Sequence, residues 1–303
     1  MQKLTPFLWF DTQADEAVNF YTSLLDNTRI RTTTRYTDKG QEIHGMDGGT
    51  VMTVDFELAG QRFTALNGGP HFQFNPGISF FVQLDAEPEV DRVWNEMIKE
   101  GQAMMPLDKY DWSEKYGWLQ DRYGLTWQIS LGTKEHTGGQ VITPSLMFVG
   151  DQHGRAEEAI NHYISIFKNS EIEGILRWDG KEGPDPEGTV KHAQFYLEGQ
   201  AFMAMESAHD HQFGFNESIS FVVNCESDEE VDYYWEKLKE GGDSNAQQCG
   251  WLKDEFGISW QVVPTEMKEM LRDDDPEKVK RVTSVMLKMK KLDLKKLREA
   301  YEG

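Results

Sequence analysis

Two of the eight histidines, His44 and His192, are candidates for proton transfer. Each lies just before or within a strand predicted in the middle of its repeat, where the side chain could face a cleft. An imidazole that titrates near neutrality can act as a general base. His192 corresponds to Thr53 in the other copy, so it could distinguish one cleft from the other. A histidine on the solvent side of its strand is the plainer alternative, and it stays open.

A second group, His209-Asp210-His211, resembles a metal cluster. Residues two positions apart in a loop rarely converge on a metal without a third ligand nearby. The first copy has Pro70-His71 in this region. We therefore interpret the triplet as part of a loop.

Five tryptophans lie on strands that are expected to line or floor a cleft: Trp9, Trp118, Trp127, Trp251 and Trp260. A flat apolar side chain with one N–H donor suits a planar or hydrophobic ligand, but it suits a protein core equally well. Both interpretations stay open. The sequence contains no G-x-S-x-G motif, no Cys paired with His and no phosphate loop, so it does not indicate nucleophilic catalysis.

The elements that position these residues come from a duplication. GWLQDRYGLTWQIS, residues 117–130, returns as GWLKDEFGISWQVV, residues 250–263, and each copy reads as a strand, a turn and a second strand that carries Gln128 or Gln261. TPFLWF likewise returns as TPSLMF, and both are followed by an amphipathic helix and a tight hairpin. Within each half PGISFFV or ESISFVV opens the same pattern again.

Four βαβββ modules are therefore predicted, in an α+β fold, and their pairing within or across the halves stays open. The expected boundaries are a first domain at 1–133, a linker at 134–141, a second domain at 142–264 and C-terminal helices at 265–303.

The tail after Pro264 has no counterpart in the first half. Asp275 before Pro276 predicts the start of one helix, and Asp293 predicts the start of another. Nine basic residues against one acidic lie between Lys278 and Arg298. They indicate either a docking site for an acidic partner or, as we expect, the solvated face of a helical hairpin packed on an acidic body.

Composition excludes several classes of protein. The chain has 303 residues, 52 of them acidic and 31 basic, and its net charge of −21 disfavours nucleic acids and anionic membranes as partners. Its two cysteines do not make a disulfide framework and indicate a reducing compartment, so we expect a cytoplasmic protein. No apolar run reaches the length of about 18 residues that a membrane helix needs.

Three segments carry a resemblance to a known family: TPFLWFDTQADEAVNFY, GGPHFQFNPGISFFV and GWLQDRYGLTWQI. They resemble the PhnB-like branch of the vicinal-oxygen-chelate superfamily, which includes glyoxalases, dioxygenases and bleomycin-resistance proteins. The resemblance covers residues 4–132 and 142–264. It implies a glyoxalase/bleomycin-resistance-like fold, in which pairs of modules form half-open antiparallel barrels.

Members of this branch are often labelled 3-demethylubiquinone-9 3-methyltransferases. A methyltransferase that uses S-adenosylmethionine usually needs a glycine-rich turn between a parallel strand and a helix. The paired glycines here are expected between antiparallel strands, in the linker or behind a helix: Gly48-Gly49, Gly68-Gly69, Gly138-Gly139 and Gly241-Gly242. We therefore expect no S-adenosylmethionine chemistry.

The resemblance also implies where a divalent metal would bind. The first-strand ligand position falls near Thr5 and Thr143, and the last-strand position falls on Gln128 and Gln261. Threonine is a poor metal ligand and glutamine a weak, neutral one. Glu206, which replaces Asn67 of the first copy, is the one carboxylate near another ligand position. We expect no cofactor; a metal, if any, would use Gln128, Glu206 and Gln261.

Three functions remain as hypotheses. The first is a protein that binds a small apolar or aromatic ligand in its clefts, through the five tryptophans, the two glutamines, His44 and His192. The second is a metal-dependent lyase, isomerase or dioxygenase of glyoxalase type. The third is an interaction protein that acts through the C-terminal hairpin. Four modules in one chain allow a monomeric pseudo-dimer or a homodimer.

Overall fold

The computed structural model describes residues 2–36, 45–181, 183–273 and 275–303, and His44 lies outside these ranges. Module 1 contains β1 (Leu4–Phe10), α1 (Ala14–Leu24), β2 (Arg29–Arg35), β3 (Val51–Leu58) and β4 (Gln61–Asn67). Module 2 contains β5 (Ile78–Leu84), α2 (Glu87–Met97), β6 (Gln102–Tyr110), β7 (Ser113–Gln120) and β8 (Thr126–Leu131).

Modules 3 and 4 repeat this order. Module 3 contains β9 (Ile142–Phe148), α3 (Ala156–Ile166), β10 (Glu171–Arg177), β11 (Val190–Leu197) and β12 (Gln200–Glu206). Module 4 contains β13 (Ile219–Cys225), α4 (Asp228–Leu238), β14 (Asp243–Gln248), β15 (Trp251–Lys253) and β16 (Ser259–Pro264). The prediction of four βαβββ modules is confirmed. Short 3₁₀ turns at Lys134–Thr137 and Gly150–Gln152 flank β9.

The strands form two open eight-stranded sheets. The first sheet has the order β14-β15-β16-β13-β1-β4-β3-β2, and the second has the order β10-β11-β12-β9-β5-β8-β7-β6. In the second sheet β5 pairs antiparallel with β9, which places Ser79 opposite Ser145 and Phe81 opposite Thr143. Module 2 of the first half therefore pairs with module 3 of the second half, which answers the question of pairing that the sequence left open for these modules.

The chain divides into two compact units that do not follow the sequence repeats. One unit contains residues 7–219, with the whole second sheet, and the other contains residues 1–6 and 220–303. In the smaller unit the N–H of Asn224 on β13 donates to the carbonyl of Lys3 at 2.9 Å, just before β1. The N-terminal residues of the chain thus belong to the same unit as the fourth module.

The helices cover one face of each sheet because their apolar residues recur at a spacing of three and four. In module 2 the residues Val90, Val93, Trp94 and Met97 of α2 are buried. A Cβ built on Gly117 of β7 would lie 2.4 Å from the Trp94 ring, so this glycine lets the helix approach the sheet. Gly117 and the residues two positions away from it on β7 therefore face α2, whereas Trp118 faces the opposite side of the sheet.

The hairpins of modules 2 and 4 differ in length. Gly101 and Gly242 occupy equivalent places, since a Cβ on either would lie within 2.4 Å of a carbonyl oxygen on the adjoining strand. Sixteen positions separate Gly101 from Gly117, whereas eight separate Gly242 from Gly250. Module 2 thus has a long β6–β7 hairpin. Module 4 turns directly through Cys249 and Gly250, which have φ of 52° and 86°, as a two-residue hairpin turn requires.

The glycines that follow α2 and α4 have different roles. Gly241 has a φ of 71° and takes the left-handed conformation that is common just after a helix. Gly101 does not, because α2 ends at Met97 and Glu100 takes the left-handed conformation at φ 61°. Gly101 is needed for close packing, since its Cβ would meet the Gln120 carbonyl oxygen at 2.4 Å.

Three C-terminal helices follow: α5 (Thr265–Met270), α6 (Pro276–Met286) and α7 (Leu294–Glu302). The predicted caps are confirmed, with Asp275 accepting from the N–H of Glu277 and Asp293 from the N–H of Lys296; α5 was not predicted. None of the described helices combines the length and apolarity needed to span a bilayer.

The C-terminal helices are joined to module 4 by main-chain bonds. The N–H groups of Cys249 and Gly250 donate to the carbonyls of Met289 and Lys290, each at 2.8 Å. Leu292, which is 1% exposed, closes over Gly250. Residues 289–292 therefore bind the edge of module 4 at the place where module 2 has its long hairpin.

Candidate ligand-binding cleft

The second sheet has a cleft face, which we define as the side opposite α2 and α3. Side chains alternate along each strand, so Phe80 and Trp127 face the helices while Phe81 and Gln128 face the cleft. Trp118 lies directly opposite Gln128 in the β7–β8 pair and shares this face. Both neighbouring modules contribute to it.

A buried chain of hydrogen bonds crosses the floor of the cleft. The hydroxyl of Tyr116 donates to Oε1 of Gln128 at 2.7 Å, and Nε2 of Gln128 donates to Oγ of Ser79 at 2.8 Å. Burial raises the pKa of the Tyr116 hydroxyl well above its usual value, so the phenol stays protonated and remains a donor. Both ends of the Gln128 amide are thus used by the protein itself.

Gln261 occupies the same position in module 4 and shares half of this arrangement. Its Nε2 donates to Oγ of Ser220 at 3.0 Å. The residue that corresponds to Tyr116 is Cys249, which lies in the two-residue turn. Trp251 stands opposite Gln261 in the β15–β16 pair and is half-buried.

Trp118 contains an unpartnered buried donor. Its ring is 8% exposed, and its indole N–H has no acceptor among the described residues. The ring packs in a cluster with Tyr116, Met147 and Val149. The partly buried residues that pack against this cluster are Phe81, Met105, Tyr110, Met205 and Phe213. The floor is thus aromatic and methionine-rich, with one polar group left to satisfy.

His192 lies on the module 3 side of the same sheet. It faces an open groove of about 370 Å³ that is also lined by Glu173, Gly174, Ile175, Leu176 and Gln194. Burial lowers the pKa of His192, so the imidazole is neutral at pH 7 and can accept or donate a hydrogen bond. His192 therefore faces the cleft as expected, whereas its role as a general base stays a prediction.

The rim of the cleft was missed by sequence reasoning. Tyr110 and Trp112, at the tip of the β6–β7 hairpin, stack with ring centroids 5.0 Å apart, and Trp112 is 64% exposed. Trp112 also meets Tyr116 edge-on at 6.0 Å, so the aromatic surface continues from the rim to the floor. The extra length of KYDWSEKY relative to the second copy was the signal that could have revealed it.

Trp127 and Trp260 face the helices. Each is 1% exposed, and each indole N–H donates to a buried aspartate, Asp121 at 2.9 Å and Asp254 at 2.7 Å. Asp121 also accepts from the hydroxyl of Tyr21 and from two backbone N–H groups. These contacts are those of core residues, and we propose no ligand contact for either tryptophan.

Trp9 is held on the other sheet. Its indole N–H donates to the carbonyl of Gly69 at 2.9 Å, and its ring packs edge-on against Phe72 at 5.1 Å. A Cβ on Gly68 would lie 2.2 Å from the Trp9 ring. The donor of Trp9 is therefore already satisfied, in contrast to that of Trp118.

The residues that would hold a metal are engaged elsewhere. Both carboxylate oxygens of Glu206 accept backbone N–H groups, from Ala156 at the start of α3 at 2.8 Å and from Val190 at 2.6 Å. Asn67 caps α1 in the same way, through the N–H of Ala14 at 2.7 Å. With the Gln128 amide also occupied, this donor set does not fit a resident divalent cation.

The predicted ligand positions on the first strands are also filled by the fold. Thr5 is 5% exposed and accepts from the Asn224 amide at 3.0 Å, and Thr143 is 1% exposed. Among the described residues, no three His, Cys, Asp or Glu side chains group in a way that could hold a metal ion. His211 instead makes a 2.8 Å hydrogen bond with Ser207, within a loop as expected.

Comparison with known proteins assigns the family. The family model described as 3-demethylubiquinone-9 3-methyltransferase matches residues 2–130 and 140–263. The chain belongs to this family. The two matches correspond to the two sequence repeats and confirm the tandem duplication and the PhnB-like membership. No curated protein matches the chain.

Two solved structures are among those to which the chain is similar. A PhnB protein from Bacillus cereus, named as a 3-demethylubiquinone-9 3-methyltransferase, is 40% identical over 43% of this chain and 100% of its own, with a TM-score of 0.41. Glyoxalase I from Zea mays is 12% identical over 89% of this chain and 97% of its own, with a TM-score of 0.51. The second likeness shows that the fold is glyoxalase-like.

Proposed function

We propose that the chain binds a small apolar or aromatic molecule on the cleft face of the second sheet. The observation that carries this proposal is the indole N–H of Trp118, buried beside the Met147 cluster without an acceptor. A buried donor left without a partner costs about 1–3 kcal/mol. A ligand that places a carbonyl there would recover this free energy while it covers aromatic and methionine side chains.

The test is a thermal-shift screen of planar aromatic carbonyl compounds such as acridone, coumarin and flavone, followed by calorimetry. W118F removes the donor and should weaken the best binder about fivefold or more, as expected for one lost hydrogen bond. W178F is the matched control, because the Trp178 N–H is also buried without an acceptor but its ring lies under Lys191, outside the cluster. The proposal fails if no compound binds, or if W118F and W178F bind equally well.

The proposal includes no S-adenosylmethionine methyltransferase activity, despite the description of the family. Gly68-Gly69 follow β4 and lead into a loop, and Gly241-Gly242 follow α4 and lead into β14. Neither pair opens a helix after a parallel strand, which is how such enzymes usually cradle the cofactor. Calorimetry with S-adenosylmethionine should give no heat of binding, and a dissociation constant in the micromolar range would overturn this part of the proposal.

We also propose that the protein works without a resident metal. The support is the occupied state of Gln128 and Glu206, since a cation would have to displace hydrogen bonds that both residues already make. Metal analysis of the purified protein and thermal shifts with nickel, zinc, manganese and iron salts test this. Stoichiometric metal or a shift of several degrees would favour the glyoxalase-type alternative.

A further inference from the structure

The β6–β7 hairpin contains a surface that the proposed cleft function does not use. Trp112 is 64% exposed at the tip and stacks on Tyr110, whose hydroxyl is fixed by the carbonyl of Pro106 at 2.9 Å. Exposure of this apolar ring to water is unfavourable. Stacking on Tyr110 also holds the indole in a defined orientation. The hairpin of module 4 is shorter and has no residues that correspond to Tyr110 and Trp112.

Unpaired carboxylates lie beside this aromatic pair. Asp108 is the cross-strand partner of Tyr116, so its side chain is on the cleft face, and Asp111 directly precedes Trp112. Neither aspartate has an ion-pair partner among the described residues. Asp108 therefore shares the cleft face with Tyr116, and Asp111 adjoins Trp112 in the chain, so both carboxylates belong to the same hairpin as the aromatic pair.

The cations of the hairpin do not offset this charge at the rim. Lys109 pairs with Glu114 at 2.8 Å, and Lys115 pairs with Glu87 and Asp91 on the helix side of the sheet. No other lysine or arginine lies in residues 102–120. The rim therefore combines exposed aromatic rings with uncompensated carboxylates, which is the chemistry that attracts organic cations.

We infer that the cleft ligand carries a cationic group, such as a quaternary or protonated tertiary amine, which docks between Trp112 and the carboxylates of Asp108 and Asp111. This inference rests on the proposed binding function of the cleft. The planar part of the ligand covers Trp118 and Tyr116, and the edge contact between Trp112 and Tyr116 joins the two parts of the site. The ring faces and carboxylates select the charged end.

The test uses three 10-alkylacridones whose three-carbon chains end in trimethylammonium, hydroxyl or carboxylate. Calorimetry of the full chain should rank them in that order, with the ammonium compound binding about fivefold more tightly than the hydroxyl compound at low salt. W112A and the double variant D108N/D111N should each remove this preference, so that the ammonium and hydroxyl compounds bind each variant within twofold of one another. Added salt should reduce the preference in the wild type.

Two controls match these variants. Y233A removes another exposed aromatic ring, and D26N/E240Q removes two exposed carboxylates far from the hairpin in sequence; both should keep the preference. Equal binding of the ammonium and hydroxyl compounds would overturn the inference while the cleft function stands. Failure of all three to bind would overturn both, and a preference that survives in W112A and in D108N/D111N would overturn the inference alone.

Discussion

The amide of Gln128 donates to the hydroxyl of Ser79 at 2.8 Å, and Gln261 repeats this bond to Ser220 at 3.0 Å. The resemblance stated in the sequence analysis implies a metal-ligand position at both glutamines. In this chain they instead fasten the last strand of each module to its first strand. The same amides that suggested a weak metal site therefore have a structural use.

A first prediction concerns the charge at this position. In Q128E the introduced carboxyl would be buried, so its pKa in the folded state would rise above the unfolded value of about 4.3. The folded state then binds more protons than the unfolded state, and stability is lost as the pH rises through and above 4.3. We expect the free energy of unfolding to fall by about 2 kcal/mol or more at pH 8 and to recover near pH 4.

Urea unfolding between pH 4 and pH 8 measures this effect. Q102E is the control, because Gln102 is exposed on β6 and should tolerate the charge. A Q128E protein as stable as the wild type at pH 8 would contradict the assignment. Strong stabilisation of Q128E by zinc or nickel would show instead that the site retains a metal geometry.

A second prediction concerns Asp121, which accepts four hydrogen bonds including those from Tyr21 and Trp127. Burial raises the pKa of Asp121 in the folded state, which means that the charged carboxylate is disfavoured there. The wild type therefore loses stability as the pH rises from the pKa of the unfolded state, about 3.9, through the raised pKa of the folded state. In D121N an amide N–H₂ must face an N–H or O–H donor, which should cost about 1–3 kcal/mol.

Thermal and urea unfolding of D121N across pH 3.5–8 test both statements. The stability difference between wild type and variant should be largest at the acid end and shrink as the pH rises, because only the wild type titrates at this position. D15N on the exposed first turn of α1 controls for loss of a carboxylate. A difference that grows with pH would mean that the hydrogen bonds to the carboxylate outweigh its desolvation.

A third prediction separates the structural and metal-binding interpretations of Glu206. In E206Q one of the two backbone N–H groups, that of Ala156 or Val190, would face an amide N–H₂. We expect a loss of about 1–3 kcal/mol by urea unfolding, with or without a chelator present. E187Q, in an exposed loop, should be neutral. Destabilisation that vanishes when the wild type is stripped with a chelator would identify Glu206 as a metal ligand.

A fourth prediction concerns the C-terminal helices. Deletion of residues 276–303 would free the N–H groups of Cys249 and Gly250 and remove Met286, whose carbonyl lies 3.5 Å from the Cys249 Sγ. We expect a lower melting temperature and a Cys249 thiol that reacts with a disulfide reagent at least about tenfold faster, since burial now raises its pKa.

Cys225 supplies the internal control for this experiment. It is fully buried, and burial raises the pKa of its thiol to about 12, so it should stay unreactive as long as module 4 remains folded. The variant C249S assigns the fast reaction. An unchanged melting temperature together with a changed oligomeric state would favour the interaction-protein alternative, because the helices would then serve a partner and not module 4.

The modules could be predicted because they depend on local sequence patterns that occur in both copies of the duplication. The spacing of Val90, Val93 and Trp94 specifies a helix, and the pair Ala59-Gly60, with φ of 49° and 82°, specifies a hairpin turn. The pairing of β5 with β9 could not be predicted, because either arrangement of modules buries the same apolar faces. The pairing of strands from distant parts of the chain depends on how well their side chains fit together, which the spacing of apolar residues does not specify.

The candidate site was harder to predict than the fold. Trp118 and Trp127 lie nine positions apart on strands of similar composition, yet one faces the cleft and the other faces Asp121. Strand register decides this, and a change of one residue would exchange the two faces. Glu206 was likewise named as a residue that a metal, if any, would use, since a sequence does not reveal which carboxylates accept the backbone N–H groups at a helix start.

The shortened hairpin of module 4 has a consequence for the history of the duplicated chain. Two copies of a gene begin with interchangeable parts, but residues 289–290 now occupy the backbone groups of Cys249 and Gly250. A β6–β7 hairpin transplanted into module 4 would have no free edge to extend unless the C-terminal segment were removed as well. The two halves are thus specialised in different ways. The first half has an exposed aromatic rim at its β6–β7 hairpin, and in the second half the C-terminal segment is bonded to the corresponding turn.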